Sequence, residues 1–220
     1  EAVIALAESI NTPIVSAPGH GDAISFGHPL SAGQMGPRGN IVASKLVKEA
    51  DIILALGTRL GFNSTFYSYD NINHEAKIIH IELEPTAIGR FFPIKIGIWA
   101  DAPTASKQLT AAIVKQKNRS AVDKWTARFQ HERAAYRAKR DREAIMTNAL
   151  IQPSGLFKTL REILPHETAF TMDAGTLCLQ ATDEFNFFEP KSLFTPLDFG
   201  LVGFSFAAGL GVKLAKPELP

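Results

Sequence analysis

The sequence has a single cysteine, Cys178, among its 220 residues. That excludes an internal disulfide framework and a zinc site built from several cysteines. No apolar run reaches the ~18 residues that a bilayer-crossing helix needs. The opening residues Glu1-Ala2-Val3-Ile4 show neither an initiator Met nor a basic stretch, so they do not read as a secretory signal. Charge of one sign is not in excess either: 23 Lys and Arg stand against 22 Asp and Glu, a formal net charge of +1, which argues against a dedicated nucleic-acid binder. There is no GxGxxG after a strand pattern, no phosphate loop GxxxxGK[ST], no GxSxG and no HExxH, and no two of the six histidines stand at metal-ligand spacing. What remains is an ordinary globular composition, 45% hydrophobic and 20% charged, which excludes a disordered chain. The length suits one large domain or two small ones. Both ends read as cut inside structure, because the first residues are already helical in pattern and the last follow directly on another helix.

Along the chain, residues 1–10 read as an apolar helix and Thr12–Ser16 as a short strand. Residues 17–40 read as loop, rich in Gly and Pro and suited to lie near a ligand or an interface. An amphipathic helix covers 41–50. Ile52–Leu56 is continuously apolar and reads as a central parallel strand, ending at Gly57, where ligands collect in open α/β sheets. Ala76–Leu83 and Ile94–Ile98 read as two further strands. Asp101 and Pro103 are suited to cap and open a helix that runs to about Lys115. The stretch from Lys115 to Arg142 holds ten of the 23 basic residues. Trp125, Phe129 and Tyr136 fall on one helical face there, so it reads as a solvent-exposed linker helix resting on an aromatic stripe. A second unit begins near 151: a helix opened by Pro153 or Ser154, a strand over Ala169–Asp173, a helix through Ala181, a short strand over Ser192–Thr195, and a Gly- and Ala-rich helix within Leu201–Ala215 that reads as tightly packed. Alternating strands and helices in both halves give an α/β fold.

Few side chains stand out for chemistry. Asp173 ends a strand just before a glycine, which suits either a functional carboxylate or a helix cap. Arg59, in a loop at a strand end, suits either a phosphate contact or an ion pair. His28 lies in a loop. His80, inside a strand pattern, reads as structural, and Cys178 reads as a small hydrophobe in the packing.

Longer patterns carry a resemblance. His28-Pro29-Leu30-Ser31-Ala32-Gly33-Gln34-Met35-Gly36, Glu49 to Leu60, Ala76 to Glu84 and Ile96 to Ala102 together resemble the central domain of the thiamine-diphosphate-dependent decarboxylases and carboligases of the acetolactate synthase type. Asp173-Ala174-Gly175 and the run Phe199 to Ala215 resemble the start of that family's diphosphate-binding domain. The resemblance implies an α/β protein with a Rossmann-like central domain over 1–113, a basic linker region over 114–150, and a partial cofactor-binding domain over 151–220. It implies an internal piece of a longer enzyme. The family's first central-domain strand and its cofactor-activating glutamate are expected before Glu1, and the magnesium motif GDG…N just after Pro220. The piece alone is therefore expected to be inactive, with no catalytic residue and no metal ligand of its own.

For the whole enzyme, the resemblance implies thiamine diphosphate with Mg2+, a small 2-keto acid or aldehyde substrate, reaction at the carbon–carbon bond beside its carbonyl, and a cytoplasmic homodimer or homotetramer with no nucleic-acid or membrane partner. It places Asp173, Gly175, Thr176, Leu177 and Cys178 near the diphosphate, and Gly200, Leu201, Val202 and Gly203 under the thiazolium, where many relatives carry a methionine in place of Val202. Leu60-Gly61-Phe62-Asn63-Ser64 after Arg59 lacks the acidic stretch of flavin-dependent relatives, and Thr176-Leu177-Cys178-Leu179-Gln180 lacks their Gln-x-Gln-x-Trp pattern; both argue against FAD. The Gly-x-x-Cys spacing and Lys191-Ser192-Leu193-Phe194 look closer to the sulfoacetaldehyde acetyltransferase branch. A free-standing nucleotide-binding module, holding an adenine nucleotide around Gly57, Arg59 and Glu82, or an inactive scaffold, is the competing reading.

Overall fold

The computed structural model describes residues 1–113, 120–144 and 151–220. Lys115, Lys117 and Arg119 of the basic stretch lie outside the described residues, and the helix expected to run to about Lys115 ends at Ala112, where Ile113 leaves the helical backbone. The first half opens with α1 (Ala2–Ile10), β1 (Ile14–Ser16) and β2 (Ser31–Gln34), followed by α2 (Ile41–Glu49), β3 (Ile52–Leu56) and a single turn, α3 (Phe62–Thr65). It closes with β4 (Lys77–Glu82), β5 (Ile96–Trp99) and α4 (Ala102–Ala112). Among the described residues, β1 and β2 form one parallel pair, and β3, β4 and β5 form a parallel sheet in that order. The fold class is thus α/β with Rossmann-like parallel strands.

Local chemistry accounts for the helix starts. Asn40 Oδ1 accepts hydrogen bonds from the Val42 and Ala43 amides at 2.9 and 3.1 Å, and Asp101 Oδ1 accepts from Thr104 N at 2.9 Å, so both N-termini are capped. Downstream of its cap, α2 buries Val42, Ala43, Leu46 and Val47. In β4, Ile78, His80 and Ile81 are buried, as befits a strand paired on both sides.

Two expectations change here. β3 is not central: it lies at the edge of its sheet, and Ile52 is 57% exposed. Its apolar run reflects packing of Ile53 and Ala55 into the core rather than neighbours on both sides. The stretch read as loop over 17–40 contains β2, whose register with β1 shifts between Ile14 and Val15. Ser31-Ala32-Gly33-Gln34 has neither the alternation nor the β-branched residues that mark a strand.

Helix α5 (Ser120–Glu143) lies across both halves. Phe129 is 1% exposed in the first-half core, and Trp125 and Tyr136 pack against the same cluster, as the aromatic stripe leads one to expect. Several of the basic residues have partners inside the chain. Arg128 pairs with Glu49, Lys45 with Glu132 at 2.7 Å, and Arg133 and Arg137 both donate to the Phe26 carbonyl. Arg140 pairs with Asp183 and Glu184. Burial lowers the Arg133 pKa to about 10, with Arg137 adding repulsion.

The second half runs α6 (Pro153–Ile163), β6 (Phe170–Thr171), α7 (Thr176–Glu184), β7 (Leu193–Phe194) and α8 (Phe204–Ala215). β6 and β7 pair in parallel. Phe157, Ala181, Phe185 and Phe187 form its core, with Phe170 set edge-on to Phe185 at 4.5 Å. The expectation of a tightly packed α8 is overturned. None of its residues is buried, and Phe206 and Leu214 are 77% and 84% exposed. Of its two glycines, Gly209 lies close against Thr171, whereas a Cβ added at Gly211 would meet nothing within 4 Å.

If α5 is anchored by Phe129, Phe129→Ala should destabilise the protein by about 3–5 kcal/mol, whereas the exposed Arg142→Ala should change it by less than about 0.5 kcal/mol. Urea unfolding of both variants measures this; equal small losses would contradict the anchoring role.

Candidate functional site

β6 leads through Met172, Asp173 and Ala174 to Gly175, which starts α7 at φ +148°. β7 leads through a turn at Pro196, whose carbonyl accepts from the Phe199 and Gly200 amides at 3.0 Å each. The chain then passes Leu201 and Val202 to Gly203, which starts α8. Ala174 N donates to Leu201 O at 3.0 Å, so the two connections run side by side. Gly200 and Gly203 have φ of +66° and +91°, the left-handed region that favours glycine. A Cβ added at Gly175, Gly200 or Gly203 would meet nothing within 4 Å. The space before these three glycines is open.

Asp173 proves to be a cap, but for a helix other than its own. Its carboxylate accepts from Gly203 N at 2.9 Å and from Ser205 N at 2.6 Å, in the first turn of α8. These bonds, Gly203's first, hold its carboxyl below the usual carboxylate range. Gly175 brings no side chain to cap α7, and among the described residues no side chain bonds to the amides of its first turn. Its first-turn amides and the positive end of its dipole therefore meet the open space, an arrangement suited to an anion such as a phosphate. Around the glycines stand exposed apolar side chains: Leu177 (54%), Phe199 (85%), Leu201 (52%) and Val202 (83%). An anion site beside an apolar rim fits a ligand with a diphosphate at one end and a flat ring at the other.

Eight of the nine residues expected to lie near the cofactor in the second half come together here. The ninth, Cys178, lies in the first turn of α7, but its side chain turns inward, buried, with Sγ 3.3 Å from Thr195 Oγ1. Burial pushes its thiol pKa up, which favours packing over reactivity.

In the first half, Gly57 and Glu82 end neighbouring strands at one edge, and Arg59 follows. Glu82 accepts from the amides of Leu83 and Glu84 at 2.8 and 3.3 Å. Arg59 is drawn to Asp198 at 2.5 Å. His80 is structural, as read. It is 2% exposed, its Nε2 lies 2.8 Å from Thr58 O, and its Nδ1 accepts from Gly89 N at 3.2 Å, which fixes the neutral ring with its proton on Nε2. His28 lies 3.2 Å from Glu8 and accepts from Leu30 N.

Sequence reasoning missed the residues that join the halves. Gln34, 3% exposed, donates to Thr182 O at 3.2 Å and accepts from Gly19 N at 2.8 Å. Asp22 accepts from the Ser192 and Leu193 amides at 3.0 and 3.2 Å. The signals were the turn-rich character of residues 17–40 and the place of Gln34 in the motif His28 to Gly36, neither of which points to a contact between the halves. Among the described residues, no group of three or more His, Cys, Asp or Glu can hold a metal ion, and no helix is long and apolar enough to cross a membrane.

Residues 1–109 match the family model described as thiamine pyrophosphate enzyme, central domain. A sulfoacetaldehyde acetyltransferase of Alcaligenes xylosoxydans xylosoxydans is 30% identical over 243 residues, which cover 98% of this chain and 40% of that protein. One from Castellaniella defragrans is 27% identical, covering 98% and 39%. The acetolactate synthase large subunit of Haemophilus influenzae is 26% identical, covering 99% and 38%. The chain thus spans well under half the length of these curated relatives.

The Asp173 cap has a pH dependence of fixed sign. Because its folded pKa is depressed, the cap contributes above the unfolded value of about 3.9 and is lost as pH falls through the lower folded value. Near neutral pH, Asp173→Ala should speed hydrogen exchange at the Gly203 and Ser205 amides while leaving the α6 amides unchanged. Unchanged exchange at Gly203 and Ser205 would remove the carboxylate from this role.

Proposed function

We propose, of a chain that belongs to the thiamine pyrophosphate enzyme family through the central domain in residues 1–109, that the whole protein is a thiamine-diphosphate-dependent transferase or lyase acting at a carbon–carbon bond beside a carbonyl. One observation carries this: the uncapped N-terminus of α7 and the three open glycines meet beside an apolar rim at the end of β6. The relatives named sulfoacetaldehyde acetyltransferase favour acetyl transfer within this class, with a 2-keto acid or aldehyde as substrate. We assign residues 1–113 to the central domain, 114–150 to the connection and 151–220 to the cofactor-binding domain. The assembly is a cytoplasmic homodimer or homotetramer.

The residues fit the cofactor in two parts. The backbone amides of Gly175, Thr176, Leu177 and Cys178 would face the diphosphate, where a helix N-terminus favours negative charge. Gly200, Leu201, Val202 and Gly203 would lie under the ring, the glycines letting it approach the backbone and Val202 supporting it by packing. Asp173 would hold that turn rather than touch the ligand. When bound, thiamine diphosphate supplies an acidic thiazolium carbon and an electron sink beside the substrate carbonyl. The chain's own part is to orient that ring on Leu201 and Val202 and to exclude water from it with Phe199 and Leu177. Mg2+ would accompany the diphosphate, and none of the described residues is assigned to it.

Calorimetry on the whole gene product tests this. Thiamine diphosphate with Mg2+ should bind, and Gly175→Val should weaken binding by at least about tenfold, because a β-branched residue resists φ +148° and fills the open space. No heat from the wild-type protein with both present would refute the reading.

A further inference from the structure

The turn from Phe199 to Gly203 has its two ends fixed by different parts of the molecule. Its downstream end is held locally, by Asp173 on Gly203 and Ser205 and by the Ala174–Leu201 bond. Its upstream end begins at Asp198, whose two carboxylate oxygens are engaged by the first half. Arg59 lies 2.5 Å from Oδ2. Asn63 Nδ2 donates to Oδ1 at 3.2 Å, and also to Leu197 O at 3.2 Å. Arg59 is brought there by unusual backbone. Gly57 has φ +57°, and Leu60, a non-glycine residue whose side chain is buried, has φ +49°. Left-handed backbone at a leucine is costly and persists where its surroundings demand it.

We propose that Arg59 and Asn63 are positioning residues, which set the glycine turn of the cofactor site through Asp198. This rests on the function proposed above for what the turn supports, but not for how it is held. It gives Arg59 a role other than a phosphate contact, since its guanidinium is committed to a carboxylate. The pair is open to solvent, at 63% and 52% side-chain exposure, so it contributes little to global stability. Its effect is local, on a glycine-containing stretch with few side-chain restraints of its own.

The test uses the whole gene product and two readouts. Hydrogen exchange at the Phe199 and Gly200 amides should quicken by about fivefold in Arg59→Ala and by at least as much in Asp198→Ala, which also loses the Asn63 bond, with no larger effect in the double variant than in Asp198→Ala. The charge swap Arg59→Asp with Asp198→Arg should restore most of the protection, and the melting temperature should stay nearly constant throughout. Thiamine diphosphate affinity should fall and recover in parallel. Wild-type exchange rates in the single variants, additive losses, or no recovery in the swap would overturn the proposal. So would loss of adenine nucleotide binding in Arg59→Ala with exchange unchanged, which would make Arg59 a ligand. If the wild-type protein binds no thiamine diphosphate while the exchange pattern holds, the positioning role stands and the function reading fails.

Discussion

Phe129 sits in the first-half core with 1% of its surface exposed, and the placement of the second half follows from it. A buried aromatic ring fixes α5 in rotation, because core packing tolerates little change of volume or angle. With that face committed, Tyr136, two turns further on, donates its hydroxyl to Asp183 at 2.7–2.8 Å, and Arg140 pairs with Asp183 and Glu184. Both acidic residues belong to α7. The helix thus carries a hydrophobic anchor on one half and a polar contact on the other. Burial, with repulsion from Asp183 and Glu143, raises the Glu184 pKa against the pull of Arg140. Removing Arg140 would leave carboxylates crowded in a partly dry place, which is costlier than the pair's net contribution suggests.

The polar contacts between the halves share one physical pattern. Gln34 meets a carbonyl of α7, Asp22 meets two amides at the start of β7, and Phe26 N donates to Phe187 O at 2.8 Å. Each uses a residue of β2 or of the loop before it to satisfy backbone groups of the second half: a last-turn carbonyl of α7, a carbonyl in the connection that follows, and the amides at the start of β7. Hydrophobic burial gives the two halves their separate cores, while directional hydrogen bonds set how they register. Gln34 is the tightest case: its buried amide has both ends occupied, so a substitution there strands partners on both sides.

Legibility in the sequence followed the range of the forces involved. α2 was readable from its apolar spacing and α4 from Asp101 and Pro103, because amphipathicity and capping act within one or two turns; the cap of α2 by Asn40 was not read. β3, β4 and β5 were readable from apolar runs, yet β3's place at an edge was not, since strand order depends on neighbours far along the chain. β2 went unread because Ser31-Ala32-Gly33-Gln34 becomes a strand through pairing with β1, not through intrinsic preference. At the site, the glycines and the strand end at Asp173 were visible as motifs. The carboxylate's task was not, because its partners Gly203 and Ser205 lie thirty and thirty-two residues away. Cys178 carried two readings at once: it lies in the first turn of α7, while its side chain belongs to the core.

The glycine turn brings these threads together. Glycine is the residue that opens space for a ligand and tolerates φ near +66° or +91°, and for the same reason it loses the most conformational entropy when ordered. A turn built on Gly200 and Gly203 has few side chains with which to hold itself, so its order must be imposed from outside. Asp173 imposes it from within the second half, and Arg59 with Asn63 from the first. The second restraint works only if the halves stay in register, which returns the argument to α5 and Gln34. On this view, the central domain contributes to a site none of whose ligand-facing residues it supplies. The open space and the restraints around it are therefore complementary requirements, one met by glycine and the other by a carboxylate on each side of the turn.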